Sequence, residues 1–126
     1  DPVLLMLVQD AIVRLGGQQS PQCLVDQARG LVRDALPLGE PSLERVAAGL
    51  GLTPAALQRR LREQNLSFST LIDQVRRELA LHYLRRRLPV SELAPLLGYS
   101  ETSAFSRAFR RWFDASPRQW LQMSTA

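Results

Sequence analysis

The stretch LAPLLGYSETSAFSRAFRRWFDASP, residues 93–117, decides how the chain is read. It holds a short apolar segment, a glycine, and a longer segment where aromatic and arginine residues recur at helical spacing. Upstream, VAAGLGLTPAALQRRLREQNLS, residues 46–67, repeats the pattern. Val46-Ala47, Leu50 and Gly51 correspond to Leu93-Ala94, Leu97 and Gly98 at an offset of 47. Leu57, Arg59, Leu61 and Arg62 correspond to Phe105, Arg107, Phe109 and Arg110 at an offset of 48, so one extra residue falls in the second turn. A short helix, a glycine-containing turn and a longer second helix make a helix-turn-helix. Ala47 and Ala94 are small enough for two helices to cross closely, and Gly51 and Gly98 suit a turn needing positive φ.

A helical wheel gives each second helix two faces. With Leu57 at zero and about 100° per residue, Leu61 falls beside it on an inward face. Gln58, Arg62, Ala55 and Arg59 fall between about 100° and 200°, facing out. In the later copy Phe105, Phe109 and Trp112 cluster inward, while Ser106, Arg110, Ser103 and Arg107 take the same outward sector. A helix in a DNA major groove needs this arrangement, with side chains at base edges and arginines within reach of phosphate. A solvated surface helix would explain any one of these residues. It explains the matched pair poorly.

The rest of the chain also reads as helices between short turns. Leu4, Leu5, Val8, Ile12 and Leu15 lie at helical spacing over residues 3–15, before Gly16-Gly17. From about 22 to 36, Leu24, Ala28, Leu31, Val32 and Ala35 form another stripe, ended by Pro37-Leu38-Gly39. Ser42 caps a short helix, and Thr53-Pro54 opens the next, which runs to about Gln64. Ser67 caps a long helix over 68–87, with Phe68, Leu71, Ile72, Val75 and Leu79 on one face. A short helix follows over about 91–97. Ser100 then caps a helix to about Phe113, and Ser116-Pro117 caps the last. Pro95 removes one backbone bond from its helix and should distort the first turn without breaking it.

The expected fold is therefore all-α. About seven helices form two helix-turn-helix subdomains, over about 42–65 and 90–113, joined by a long central helix over 67–87. Residues 1–20 form a junction helix, and 21–126 the bipartite domain. Twenty helical residues span about 30 Å, and successive major-groove faces of B-DNA lie about 34 Å apart. One rigid helix can thus hold two reading heads about a DNA turn apart.

Composition narrows the function. A chain of 126 residues with 45% hydrophobic and 22% charged residues has material for one domain or two small lobes around a core. Residues 1–41 carry three arginines against five acids, a net of −2; residues 42–126 carry thirteen against seven, a net of +6. All the basic charge is arginine. That suits bidentate recognition of phosphate and base edges, and it also fits coding bias in a GC-rich genome. The single Cys23 rules out an internal disulfide and cannot alone make a zinc site. The single His82 leaves no material for a catalytic triad, and no glycine-rich loop cradles phosphate. No enzyme, cofactor or metal is expected. No apolar run has membrane-spanning length, and Asp1-Pro2 resembles neither an initiator methionine nor a signal-peptide start, so a fragment or processed chain is expected.

At Leu97-Gly98-Tyr99-Ser100-Glu101-Thr102-Ser103-Ala104-Phe105-Ser106-Arg107-Ala108-Phe109-Arg110-Arg111, followed by Ser116-Pro117, the sequence resembles the C-terminal DNA-binding domain of the AraC/XylS family of bacterial transcription regulators. The resemblance covers about residues 22–122. Leu57-Gln58-Arg59-Arg60-Leu61 and Ser67-Phe68 agree with the family's first motif; Arg77, Ala80 and Leu84 agree with its linker. Asn65 and Asp114 stand where the family usually has glycine, and Leu121 where it often has arginine. The resemblance implies a seven-helix domain that binds promoter DNA as one chain. It places Ala55, Gln58 and Arg59, with Thr102, Ser103, Ser106 and Arg107, at base-reading positions. Arg62, Ser100, Arg110 and Arg111 are the expected phosphate contacts. It further implies work through RNA polymerase, a separate N-terminal domain that dimerises or binds an effector, and a cytoplasmic location on the nucleoid when bound.

Other residues have plainer readings. His82 is expected to pack or cap, Cys23 to be a small buried hydrophobe, and Trp112 and Trp120 to serve the core. Arg85-Arg86-Arg87 either complements a helix dipole or reaches phosphate. Arg60 flanks the apolar stripe and is not counted as a reader. The competing class is a helical interaction module whose basic face meets an acidic protein, which gives no reason for duplicated reading helices.

Overall fold

Local signals set most helix boundaries. The computed structural model describes residues 21–124, which are helical with no strand among them. The helices are α1 (Pro21–Ala35), α2 (Leu43–Gly49), α3 (Pro54–Glu63), α4 (Phe68–Arg85), α5 (Val90–Leu96), α6 (Thr102–Phe113) and α7 (Pro117–Ser124), with a 3-10 turn over Leu36–Leu38 after α1. The helix expected over 3–15 lies outside the described residues. Ser42, Thr53 and Ser67 each accept a hydrogen bond from the backbone amide three residues on, at 3.1–3.2 Å. At α7 the Gln119 amide donates to Ser116 Oγ (3.1 Å) and the Ser116 amide to Gln119 Oε1 (3.0 Å), a reciprocal capping box. Pro95 lies inside α5 without breaking it. The first turn is tightened, with the Glu92 and Leu93 amides both donating to the Pro89 carbonyl.

Four helix ends close alike. The amides of Leu52, Leu66, Leu88 and Tyr99 reach back to the carbonyls of Ala47, Leu61, Tyr83 and Ala94. The residue before each has positive φ: Gly51 at 71°, Asn65 at 59°, Arg87 at 63° and Gly98 at 88°. Asp114, at 55°, ends α6 with its amide on the Arg110 carbonyl. Asn65 and Asp114 are thus not departures in geometry, since their short polar side chains tolerate the left-handed region better than other residues. Arg87 has no such excuse. Arg87→Gly should therefore raise stability by about 0.5–1 kcal/mol, and Asn65→Gly by less. Urea melts of the two variants check the order, and equal shifts would refute it.

The apolar stripes build two cores. Val25, Ala28, Val32 and Leu36 meet Val46, Ala47, Leu57, Leu61, Leu71, Ile72 and Val75 in the first. Ala80 and Leu84 meet Leu93, Ala94, Leu97, Phe105 and Phe109 in the second. Helix α4 gives its first half to one core and its second half to the other, and Leu79 packs against both. Two lobes share one helix. The α1 stripe differs from the sequence reading: Val25 and Leu36 are buried, while Leu31 and Ala35 are only half-buried. Leu36 continues inward because the 3-10 turn packs against α5. No helix among the described residues is long and apolar enough to cross a membrane.

Candidate nucleic-acid interface

Each second helix keeps its apolar side in a core and its arginines in solvent. In α3, Leu57 and Leu61 are fully buried, and Ala55, Gln58, Arg59 and Arg62 are exposed. In α6, Phe105 and Phe109 are fully buried, while Thr102, Ser103, Arg107, Arg110 and Arg111 are exposed. Aromatic contacts anchor α6. The Phe109 ring lies 4.7 Å from Phe113 and 6.5 Å from Trp120, centroid to centroid. A helix pinned so firmly on one side presents the other in a fixed orientation.

The start of α6 departs from the sequence reading. Ser100 does not cap it: Glu101 holds the N-cap position and makes no side-chain cap bond. The Glu101 carboxylate instead accepts from Ser103 Oγ at 3.3 Å. The extra residue of the second turn moves the helix start one position on, leaving Ser100 exposed in the loop before it. Ser106, matched to Gln58 on the wheel, is half-buried, so its short side chain has less reach. Glu101 was missed. It sits beside the outward face, and a carboxylate there can accept from the N4 amine of cytosine.

The plainer readings hold in part. Trp112 and Trp120 both pack against the second core, with Trp112 Nε1 buried and without a hydrogen-bond partner among the described residues. His82 is exposed, 2.9 Å through Nδ1 from Arg86 Nη1. If Arg86 donates, that nitrogen carries no proton. Cys23 is half-buried rather than buried. The Arg85 guanidinium lies 5.6 Å over Trp120, so part of the arginine run is committed to aromatic contact.

Sequence reasoning also missed Arg76. It is 9% exposed, the one buried charged residue among those described. Its Nε donates to the Leu97 carbonyl at 2.9 Å and its Nη2 to Glu40 Oε2 at 2.8 Å. The guanidinium lies 4.7 Å over the Tyr99 ring. Burial pushes the Tyr99 hydroxyl above its ordinary pKa, with the Arg76 charge pulling the other way. A signal was available, because 72, 76, 80 and 84 form one inward row of α4 and position 76 alone is charged. Arg77, by contrast, is exposed, 5.8 Å over Phe113.

Known proteins share this arrangement. A family model described as a helix-turn-helix domain matches residues 46–123. The HTH-type transcriptional regulator VirS of Mycobacterium tuberculosis is 44% identical over 102 residues, covering 80% of this chain and 30% of that protein. The ornithine utilization regulator of Pseudomonas aeruginosa is 34% identical, covering 94% of this chain and 38% of that protein. The chain thus spans about a third of the curated relatives it matches, and those relatives are named as regulators rather than enzymes. Among solved structures, a DNA-binding transcriptional dual regulator from Escherichia coli K-12 superposes with a TM-score of 0.73 at 25% identity, over 86% of this chain and 95% of that one. The C-terminal domain of AraT, a response regulator from Geobacillus stearothermophilus, gives 0.67 at 31% identity, over 79% and 84%. With two helix-turn-helix units on one central helix and a family match covering both, the chain belongs to the AraC/XylS type of helix-turn-helix domain, the DNA-binding part of transcription regulators.

Proposed function

We propose that residues 21–126 act as one bipartite reader of promoter DNA, with α3 and α6 entering successive major-groove segments. One observation carries the reading: two helices, matched in sequence, each bury an apolar face and expose arginines at the same wheel angles. Ala55, Gln58 and Arg59 of α3, with Thr102, Ser103, Ser106 and Arg107 of α6, face base edges. Arg59 and Arg107 sit mid-helix, where an arginine donates to O6 and N7 of guanine. Arg62, Arg110 and Arg111 lie further along, where a docked helix rises toward the backbone, and Ser100 offers its hydroxyl to phosphate from the loop before α6. In the intact regulator, residues 1–20 join this unit to an N-terminal domain that dimerises or senses an effector. The assembly acts on RNA polymerase in the bacterial cytoplasm.

The test is a footprint on a duplex selected from a random pool. A single chain should protect two major-groove segments on one DNA face, about one turn apart. Protection of one groove, or a palindrome requiring two chains, would overturn the reading. On the same duplex, Arg107→Ala should lose about 1–3 kcal/mol of discrimination at one base pair. Arg110→Ala should instead weaken every sequence alike. A uniform loss from Arg107→Ala would reassign that residue to phosphate.

A further inference from the structure

We infer that Arg76 is a positioning residue that holds the two helix-turn-helix units in register and so sets which spacing of DNA half-sites the chain accepts. The inference rests on the two-headed reading above and concerns what fixes the distance between the heads. Each lobe has its own core. The lobes share one helix of 18 residues and meet where the 3-10 turn packs on α5 and where Leu79 touches both cores. Apolar packing is non-directional, so a directed connection beside it is needed for a fixed spacing.

Arg76 supplies it with three contacts to three places. Its Nη2 reaches Glu40, just after the 3-10 turn of the first lobe, at 2.8 Å. Its Nε reaches the Leu97 carbonyl, at the end of α5 in the second lobe, at 2.9 Å. Its face covers Tyr99, in the turn that leads into α6, at 4.7 Å. Gly98 closes the joint, since a Cβ built there would lie 3.1 Å from the carbonyl oxygens of both Leu36 and Gly39. A planar guanidinium can make two directed bonds and one stacking contact at once, and a lysine ammonium cannot. The joint meets the turn of the second helix-turn-helix and no residue of the reading faces. Its loss should change where α6 sits, not what α6 reads.

The plainer alternative is that Arg76 only satisfies an orphan carbonyl at the end of α5. Spin labels on Glu63→Cys and Ser91→Cys, both at exposed positions and one in each lobe, separate the two in the full chain carrying Cys23→Ser. Without DNA, the inter-label distance should be narrowly distributed in the parent and broad in Arg76→Met. Glu40→Gln, at a carboxylate 69% exposed, should broaden it to a lesser degree. On selected duplexes, inserting two base pairs between half-sites should cost the parent roughly 30-fold in affinity and Arg76→Met less than about 5-fold. Arg76→Lys should behave like the methionine variant. An unchanged distance distribution in folded Arg76→Met overturns the inference, as does a broadened distribution with unaltered spacing preference. Should Arg76→Met fail to fold, unchanged distances in Glu40→Gln overturn it and broadened ones uphold it. If no duplex is bound at all, the two-headed reading fails, while the distance measurement still decides whether Arg76 couples the lobes.

Discussion

Between 50 and 200 mM salt, the affinity of this chain for its duplex should fall about a thousandfold, taking about six neutralised phosphates and a slope near −5 in log affinity against log salt. The physical source is release of counterions condensed on DNA, which depends on how many cations reach phosphate and not on base sequence. The structure decides which arginines are available. Arg62, Arg110 and Arg111 are exposed, and no carboxylate among the described residues lies within ion-pair distance of them. Arg76 is buried and tied to Glu40, and Arg29 spends its guanidinium on Gln74 (2.6 Å) and Glu78 (3.6 Å). Arg110→Ala should accordingly flatten the slope by about one unit. Arg29→Ala should leave it alone. Titrations at four salt concentrations measure both, and a slope near zero in the parent would refute DNA binding through phosphate.

Gly98→Ala should cost about 2–4 kcal/mol of stability, and Gly51→Ala only about 1 kcal/mol, although both glycines end the first helix of a matched repeat. Both have positive φ, 88° and 71°, so each alanine carries the left-handed backbone cost of about 1–2 kcal/mol. They differ in surroundings. No atom of the described residues lies within 4 Å of a Cβ at Gly51, whereas at Gly98 it would press on two backbone oxygens at 3.1 Å and on Arg76 Nη2 at 3.2 Å. Backbone oxygens cannot rotate away as a side chain can, so the second core or the first lobe must shift. Denaturant melts of the two variants give the comparison directly. Equal losses would show that the lobes do not press together at Gly98.

Much of this molecule is written locally. The caps at Ser42, Thr53, Ser67 and Ser116 follow from a hydroxyl placed one residue before a helical stripe. The duplicated pattern at Leu57/Phe105 and Leu61/Phe109 by itself determined that two helices would bury one face and expose Arg59, Arg62, Arg107 and Arg110, because helical period and burial are enough for that. Three things needed the tertiary structure. By type Ser100 is the better cap, yet the extra residue of the second turn leaves it in the loop and puts Glu101 at the N-cap position without a side-chain cap bond. Leu36 reads as the edge of a break at Pro37, yet it is fully buried because the 3-10 turn packs on α5 about sixty residues later in sequence. Arg76 reads at most as a charge misplaced on an inward row, with nothing to say what it meets. Its partners, Glu40 and the Leu97 carbonyl, lie 36 and 21 residues away and meet only after both lobes have formed. Periodicity can say which side of a helix is buried. It carries no information about what distant backbone will stand opposite, and that opposition is what turned Arg76 from an unexplained inward charge into the joint between the two lobes.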